Sequence, residues 1–332
     1  MSPKYSPPFT MTDTITNLVI EIGELIGQVS VYDELTKNPK LRRENRIKTI
    51  HSSLAIEQNT LTLNQVTDVI DGKRVLGPLQ DIREASNAYE AYEHLQTFDP
   101  YSIEDLLKAH RFMMNGLVDE AGRFRSKNAG VYDGTSLIHA GSPANHVPSL
   151  VNDLFQWMKE SAIHSLIKGC VFHYEFEFIH PFKDGNGRTG RLWHSLILQS
   201  WKPFFAWLPI ETMIYEHQQE YYDAINKSNS VGESTVFIEF MLRVIKATLE
   251  EIVTTHNHVG INVDINVGIN NVEKVISLLM QDGTQTQVEI ANQLGISKRQ
   301  VERIFKELKD SGKLERKGAN KKGIWIIKNT TK

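Results

Sequence analysis

Apolar residues return every three or four positions along most of this chain, the period of an amphipathic helix. Near the start, Ile15, Leu18, Val19, Ile22, Leu25, Ile26 and Val29 mark out one such face. Ile47, Ile50 and Leu54 do the same in a second predicted helix, about 41–56. Further helices are predicted over about 77–96, 102–117, 147–178, 186–200 and 211–254. One segment, Ala129–Val147, breaks the rhythm. There Val131-Tyr132 and Leu137-Ile138 flank Asp133-Gly134, and Asp-Gly between apolar pairs predicts a β-hairpin. Residues 1–10 carry three prolines and are expected to be a mobile tail. Residues 256–271, rich in Asn, Gly and Val without a helical period, predict a linker.

Length and charge refine this mainly-α picture. At 332 residues there is room for two or three domains. A net charge of −3 argues against a chain that coats nucleic acid or anionic membrane along its whole length. The charge is unevenly spread, however. Residues 286–332 hold 12 Lys/Arg against 5 Asp/Glu, a balance of +7, which leaves −10 for the rest. The C-terminal end therefore reads as a separate basic module. A lone cysteine, Cys170, forms no internal disulfide and suits a reducing compartment. No apolar run matches a signal peptide or a membrane span, so a cytoplasmic protein without membrane contact is expected.

Candidate chemistry concentrates in His180-Pro-Phe-Lys-Asp184-Gly185-Asn186-Gly187-Arg188-Thr189-Gly190-Arg191. Pro181 bars helix through the residue before it, so the chain must turn at His180. Gly185 and Gly187 let the backbone fold tightly around Asn186, just before a helix striped with Leu192, Leu196 and Leu198. Backbone N–H groups at a helix start form an anion site, most often for phosphate. Arg188 and Arg191, at i and i+3, are unfavourable for the helix dipole and point to an external anion gripped bidentately. Asp184 can hold Mg²⁺, which takes one or two carboxylates and keeps its waters. His180 is suited to take a proton from an attacking hydroxyl.

Gly185-x-Gly187-x-x-Gly190 also satisfies the dinucleotide fingerprint, and His173–His180 alternates like a strand. That reading fails on three counts. Pro-Phe-Lys-Asp intervenes before the glycines, no acidic residue lies about twenty positions on, and strands do not alternate with helices. A P-loop is excluded because no G-x-x-x-x-G-K-[ST] occurs.

At these residues the sequence closely resembles the Fic (Fido) family of protein adenylyltransferases, whose motif is H-x-F-x-[DE]-G-N-G-R-x-x-R. The resemblance implies a helical core over 96–255 with one β-hairpin flap, preceded by a helical region over 11–95. It implies ATP and Mg²⁺, with His180 as base, Asp184 on the metal, and Gly185, Asn186 and Gly187 in the anion hole. Arg188 would clamp the β- and γ-phosphates and Arg191 the γ-phosphate, with Thr189 and Gly190 between them in the same loop. Tyr221-Tyr222 and Asn229 resemble the nucleotide-binding segment, and the hairpin resembles the flap on which target proteins dock. The product would be AMP on a Ser, Thr or Tyr hydroxyl. Removing AMP, moving another phosphate-containing group, or merely sensing nucleotide as a DNA-binding regulator stay open as alternatives. An intact His180 favours catalysis, because a sensor needs no base.

Ser53-Leu-Ala-Ile-Glu57-Gln58-Asn59 resembles the inhibitory motif [ST]-x-x-x-E-[GN] of the class whose inhibitory helix precedes the core. The resemblance implies that Glu57 pairs with Arg191 and blocks a productive γ-phosphate. Gln58 departs from it, standing where Gly or Asn is expected.

Residues 272–332 read as helices followed by two short strands, similar to winged helix-turn-helix domains. Thr286 and Ser297 serve as helix caps, Gly295 as the turn, and Leu314–Arg316 with Ile324–Ile327 as the wing. Lys298, Arg299, Arg303 and Lys306 make DNA the candidate partner of this module, with protein docking as the alternative. A homo-oligomer is a further candidate assembly.

Overall fold

The computed structural model describes residues 5–31, 38–128, 130–133, 136–259, 275–276, 278–280, 282–294, 298–310, 313–317 and 324–327. Its contacts divide the chain into two units, Met1–Val253 and Thr254–Lys332.

Local chemistry sets the helix ends of the first unit. Thr12 Oγ1 accepts from Ile15 N at 3.1 Å to start α1, Asp13–Val31. Asn38 caps α2, Pro39–Ile56, by accepting from Lys40 N and Leu41 N. Pro39 stands at the first helical position, where a missing N–H is tolerated. Thr62 and Gln65 form a capping box on α3, Leu63–Ile70. This helix was not expected, because two turns are too few to show a period. After α4, Leu79–Glu93, Ser102 caps α5, Ile103–Met114.

The hairpin stands where the alternation put it. Strand β1, Gly130–Asp133, pairs antiparallel with β2, Ser136–Ala140, with an irregularity between Val131 and Tyr132. The turn residue Gly134 lies outside the described residues. The helix expected over 147–178 is two: α6, Val147–Glu160, and α7, Ser165–Ile179. Ser161 Oγ accepts from Ile163 N at the corner, and Lys168 Nζ donates to the carbonyls of Met158 and Ser161, both at 2.9 Å. Helix α8 spans Asn186–Trp201. The stretch 211–254 divides into α9, Ile210–Glu216, α10, Gln218–Val231, and α11, Thr235–Val259, with Gly232 at φ 73° closing α10. Helix α11 runs four residues into the expected linker, whose remainder lies outside the described residues.

Helices α7 and α8 pack together at the centre, and α2 lies against α9, α4 and α8. Every residue of α7 from Leu166 to Phe176 is buried. A helix covered on nearly all sides has little polar contrast, which is why His173–His180 could alternate like a strand while lying in the expected helix up to Ile179.

The expected mobile tail is corrected over residues 5–10. Tyr5 Oη donates to Glu175 Oε2 at 2.6 Å, Ser234 N to Pro8 O at 3.0 Å, and Thr10 N to Thr235 Oγ1 at 2.8 Å. The prolines limit the freedom of this segment before it docks, and their carbonyls still accept.

The second unit has its own core of Val275, Leu279, Ile290, Val301, Phe305 and Trp325. Thr286 and Glu289 cap α12, Gln287–Leu294, and α13 spans Lys298–Asp310. Strands β3, Leu314–Lys317, and β4, Ile324–Ile327, pair antiparallel as the expected wing. Gly295, Ser297 and the wing loop 318–323 lie outside the described residues. Among the described residues no helix is long and apolar enough to cross a membrane.

Candidate active site

Helix α7 stops at Ile179, as Pro181 requires, and His180 takes left-handed backbone, φ 52° and ψ 63°. For a residue with a Cβ this costs on the order of 1–2 kcal/mol. Hydrogen bonds on both sides hold it. His180 N donates to Phe176 O at 2.9 Å, and Arg125 Nε donates to His180 O at 2.7 Å. Arg125 also donates from Nη1 to Lys127 O at 3.0 Å and from Nη2 to Ile179 O at 3.3 Å and to Ser142 O. One buried guanidinium therefore ties the end of α7 to both feet of the hairpin.

Beyond Pro181, Phe182 stacks on the His110 ring, with centroids 3.6 Å apart and planes 4° from parallel. His110 Nδ1 accepts from Gly122 N at 2.9 Å, so the ring proton sits on Nε2 and is donated to Asp184 O, also at 2.9 Å. Burial pushes this imidazole down to about 4, which keeps it neutral. Asn186 turns its side chain back into the loop. Its Oδ1 accepts from Phe182 N at 2.8 Å and its Nδ2 donates to Phe182 O at 2.9 Å. The Asn186 amide thus closes the loop, which leaves its backbone N–H facing the helix start.

Gly185, at φ 80°, is the N-cap of α8 and brings no capping side chain. The first N–H of the helix to find an acceptor is that of Thr189, on Gly185 O at 3.0 Å. The N–H groups of Asn186, Gly187 and Arg188 are left as an open cradle at the positive end of the helix dipole. Asp184 stands at its lip with 55% of its side chain exposed; Oδ1 accepts from Gly185 N at 2.6 Å. A single exposed carboxylate beside an anion cradle is the donor set that Mg²⁺ shares with phosphate. The described residues contain no cluster of three or more ligating side chains.

Both arginines are buried. Arg188 Nη1 lies 3.3 Å from Glu84 Oε1 and Nη2 lies 3.3 Å from Asp184 Oδ1, while its Nε is buried without an acceptor. Glu84 accepts in turn from Asn59 Nδ2 at 2.8 Å. Arg191 reaches into α2. Its Nε donates to Ser53 Oγ at 3.1 Å, and its Nη2 donates to Ser53 O at 2.9 Å and to Glu57 Oε1 at 2.8 Å. Burial opposes the Arg191 charge, but Glu57, with help from Tyr221 and Glu177, more than offsets it and holds the guanidinium protonated.

The glycines show how closely this is packed. A Cβ at Gly187 would run into Glu57 Oε1 and stand 3.0 Å from Arg191 Nη1. Gly190 faces Glu177, whose Oε1 would lie 3.0 Å from a Cβ there. Burial raises the Glu177 carboxyl to about 8, against the pull of Arg191. The Thr189 hydroxyl is buried without a hydrogen-bond partner. Tyr222 Oη lies 3.4 Å from Ile56 O, at the end of α2. Asn229 accepts from Tyr174 Oη at 2.9 Å. The structure thus brings Glu57, Ser53, Asp184, Arg188 and Arg191 together and sets Tyr222 at the end of α2, while Asn229 is engaged elsewhere. Arg125, His110, Glu84 and Glu177 were not anticipated, because each acts on backbone or charge brought in from distant sequence.

A strained histidine, an uncapped helix start and two buried arginines lie together between the central helices of a mainly helical domain. Residues 100–198 match the Fic/DOC family and residues 271–315 match a winged helix-turn-helix DNA-binding family. A crystal structure of a Fic family protein from Desulfovibrio desulfuricans G20 is 41% identical, covering 99% of this chain and 100% of that one, with a TM-score of 0.74. The chain belongs to the Fic family. It is also 28% identical over 220 residues to Protein adenylyltransferase Fic of Nematostella vectensis, covering 63% of this chain and 49% of that protein. The match to Protein adenylyltransferase fic-1 of Caenorhabditis elegans is 28% over 226 residues, covering 64% and 42%. The chain thus spans just under half the length of these curated relatives.

Proposed function

We propose that this protein transfers AMP from ATP to a Ser, Thr or Tyr hydroxyl of a target protein and is held at rest by Glu57. The observation that carries this reading is the uncapped start of α8, with Asp184 and Arg188 at its lip and His180 fixed at the other end of the same loop. The N–H groups of residues 186–188 and the Arg188 guanidinium would hold the phosphate tail of ATP. His180 would take the hydroxyl proton as the oxygen bonds to the α-phosphorus, and the bond to the β-phosphate oxygen would break to release pyrophosphate. Positioning and charge stabilisation supply most of such a rate. Asp184 would hold Mg²⁺, which neutralises phosphate charge when bound.

While Arg191 is bonded to Ser53 and Glu57, it is withdrawn from phosphate. A charge-assisted hydrogen bond contributes about 1.5–3 kcal/mol. Replacing Glu57 with Gly should therefore raise automodification by about tenfold or more. Mass spectrometry of Glu57→Gly after incubation with each nucleotide tests both parts. The expected result is a mass gain of AMP from ATP alone, abolished by a further His180→Ala. Transfer that survives loss of His180, or equal activity with and without Glu57, would overturn the reading. The two-stranded hairpin offers unpaired backbone on its edges, which supports docking of an extended target segment beside it.

The basic charge of the second unit and its family match support a second role, contact with DNA. Binding to random duplex DNA should fall steeply with salt and be lost on deleting 272–332. Absence of binding at low salt would sink it.

A further inference from the structure

Away from the motif loop, three arginines of α2 border a cavity of about 300 Å³: Arg42, Arg43 and Arg46, closed in by Tyr89, Glu93 and Trp207. Arg43 is spoken for, being ion-paired with Asp71. Arg42 and Arg46 are not. Arg46 is only 5% exposed, yet among the described residues neither of the two makes a hydrogen bond or an ion pair. The Nε of each is buried without an acceptor. What they have is aromatic faces. The Arg42 guanidinium lies 5.0 Å from the Trp207 ring centroid; that of Arg46 lies 4.9 Å from the same ring and 5.1 Å from that of Tyr92.

Stacking satisfies the faces of a guanidinium and leaves its five in-plane N–H donors unanswered. Two like charges one helical turn apart, converging on one indole, also repel. Glu93, on the cavity wall, and buried Glu211 favour the Arg46 charge from a distance, but neither is ion-paired with Arg42 or Arg46 among the described residues. Buried charges of this kind are retained where something neutralises them.

We propose that this cavity is a second anion site, separate from the His180–Arg191 loop, which takes a phosphate-bearing molecule of nucleotide size. Two planar guanidiniums suit the oxygens of a phosphate, each able to grip two of them. The volume is at the lower end for small-molecule pockets, well beyond a bare ion, and Tyr89 provides an aromatic wall for the rest of the ligand. The site also has a consequence for α2. Arg46 and Glu57 lie on one helix, eleven residues apart, about 16 Å at the helical rise. The arginines meet Trp207 only when α2 is docked, so the anion binds the docked state and stabilises it by linkage. On the AMP-transfer reading, a filled cavity would tighten the hold of Glu57 on Arg191. Binding and its effect on α2 are independent of that reading.

The test uses the full chain at low ionic strength, titrated separately with inorganic phosphate, pyrophosphate and AMP in a calorimeter. Pyrophosphate or AMP should bind more tightly than inorganic phosphate, and binding should persist in Arg188→Gln, where the motif loop is impaired. It should weaken by about tenfold or more in Arg42→Gln, a partly buried position outside the apolar core. Hydrogen exchange gives a second readout: amides 52–57 should slow when the probe is added to wild type or Arg188→Gln, and not in Arg42→Gln. Failure of all three probes to bind at millimolar concentration would overturn the proposal. So would binding that Arg42→Gln retains and Arg188→Gln loses.

Discussion

Arg125 donates to four backbone carbonyls, those of Lys127, Ser142, Ile179 and His180. These belong to the end of α7 and the two feet of the hairpin, so a single side chain sets where the candidate base stands relative to the flap. A lysine keeps the charge but is a point donor and cannot serve four acceptors from one plane. Losing two such bonds, at roughly 1 kcal/mol each, corresponds to a factor of about 10–100 in rate if His180 is mispositioned. In a Glu57→Gly background, Arg125→Lys is therefore expected to lower kcat for AMP transfer by that factor with little change in KM for ATP, whose phosphate cradle on α8 is untouched. Steady-state kinetics check this; a rise in KM with kcat unchanged would mean that Arg125 serves nucleotide binding instead. At this scale the motif itself was legible, because histidine, glycines, aspartate and arginines carry their chemistry within twelve consecutive residues. Arg125 and His110 were not, since their partners are carbonyls that only the fold brings near.

Helix α2 shows why Gln58 matters although it touches neither arginine. Gln58 N donates to Ala55 O at 3.0 Å and Asn59 N to Leu54 O at 3.1 Å, the paired bonds of a Schellman ending. Gln58 itself sits at φ 65°, the left-handed backbone that Gly or Asn adopts readily. The preference for Gly or Asn after the glutamate, in the motif that this segment resembles, thus has a local cause: this residue terminates the helix that presents Glu57. Gln58→Gly should remove strain of about 1 kcal/mol, partly offset by a freer unfolded chain. We expect the melting temperature to rise by about 2 °C, together with lower basal automodification. That is opposite in sign to Glu57→Gly one position earlier. A fall in Tm, or a gain in automodification, would show that the strain is not stored there. Helices with one polar face and the Asp-Gly hairpin could be read from pattern. The break between α6 and α7, two-turn α3 and the docked residues 5–10 could not, because a four-residue corner and a two-turn helix are too short to show a period and the tail docks on residues distant in sequence.

Across the whole molecule, charge is sorted more finely than its sign along the chain suggested. Part of the positive charge of the second unit is spent on its own packing, with Lys309 Nζ 4.6 Å and the Arg316 guanidinium 4.8 Å from the Trp325 ring. The first unit, besides its buried arginines, also buries histidines in their neutral forms. His173 Nδ1 lies 3.2 Å from His194 Nδ1 in its core, where burial pushes His194 down to about 3 and His173 well below its ordinary range. His110, under the motif loop, is down to about 4. An unfolded histidine takes up a proton near pH 6.5, whereas these three stay neutral, so their contribution is whole above that pH and is lost as pH falls. Glu177, raised to about 8, works in the other direction, contributing stability that is lost as pH rises from the ordinary carboxylate range toward 8. The two slopes oppose one another between about 4.5 and 6.5, which is why the histidine effect is best read as a difference between variants. Each buried histidine contributes a slope of about 1.4 kcal/mol per pH unit in this window. His110→Gln should remove one such slope while leaving that of Glu177. Urea unfolding of wild type and variant at half-unit steps from pH 4.5 to 6.5 should give free-energy curves that converge toward acid. Parallel curves would mean that His110 is charged in the folded protein and that the motif loop is held by some other bond than Nε2–H to Asp184 O.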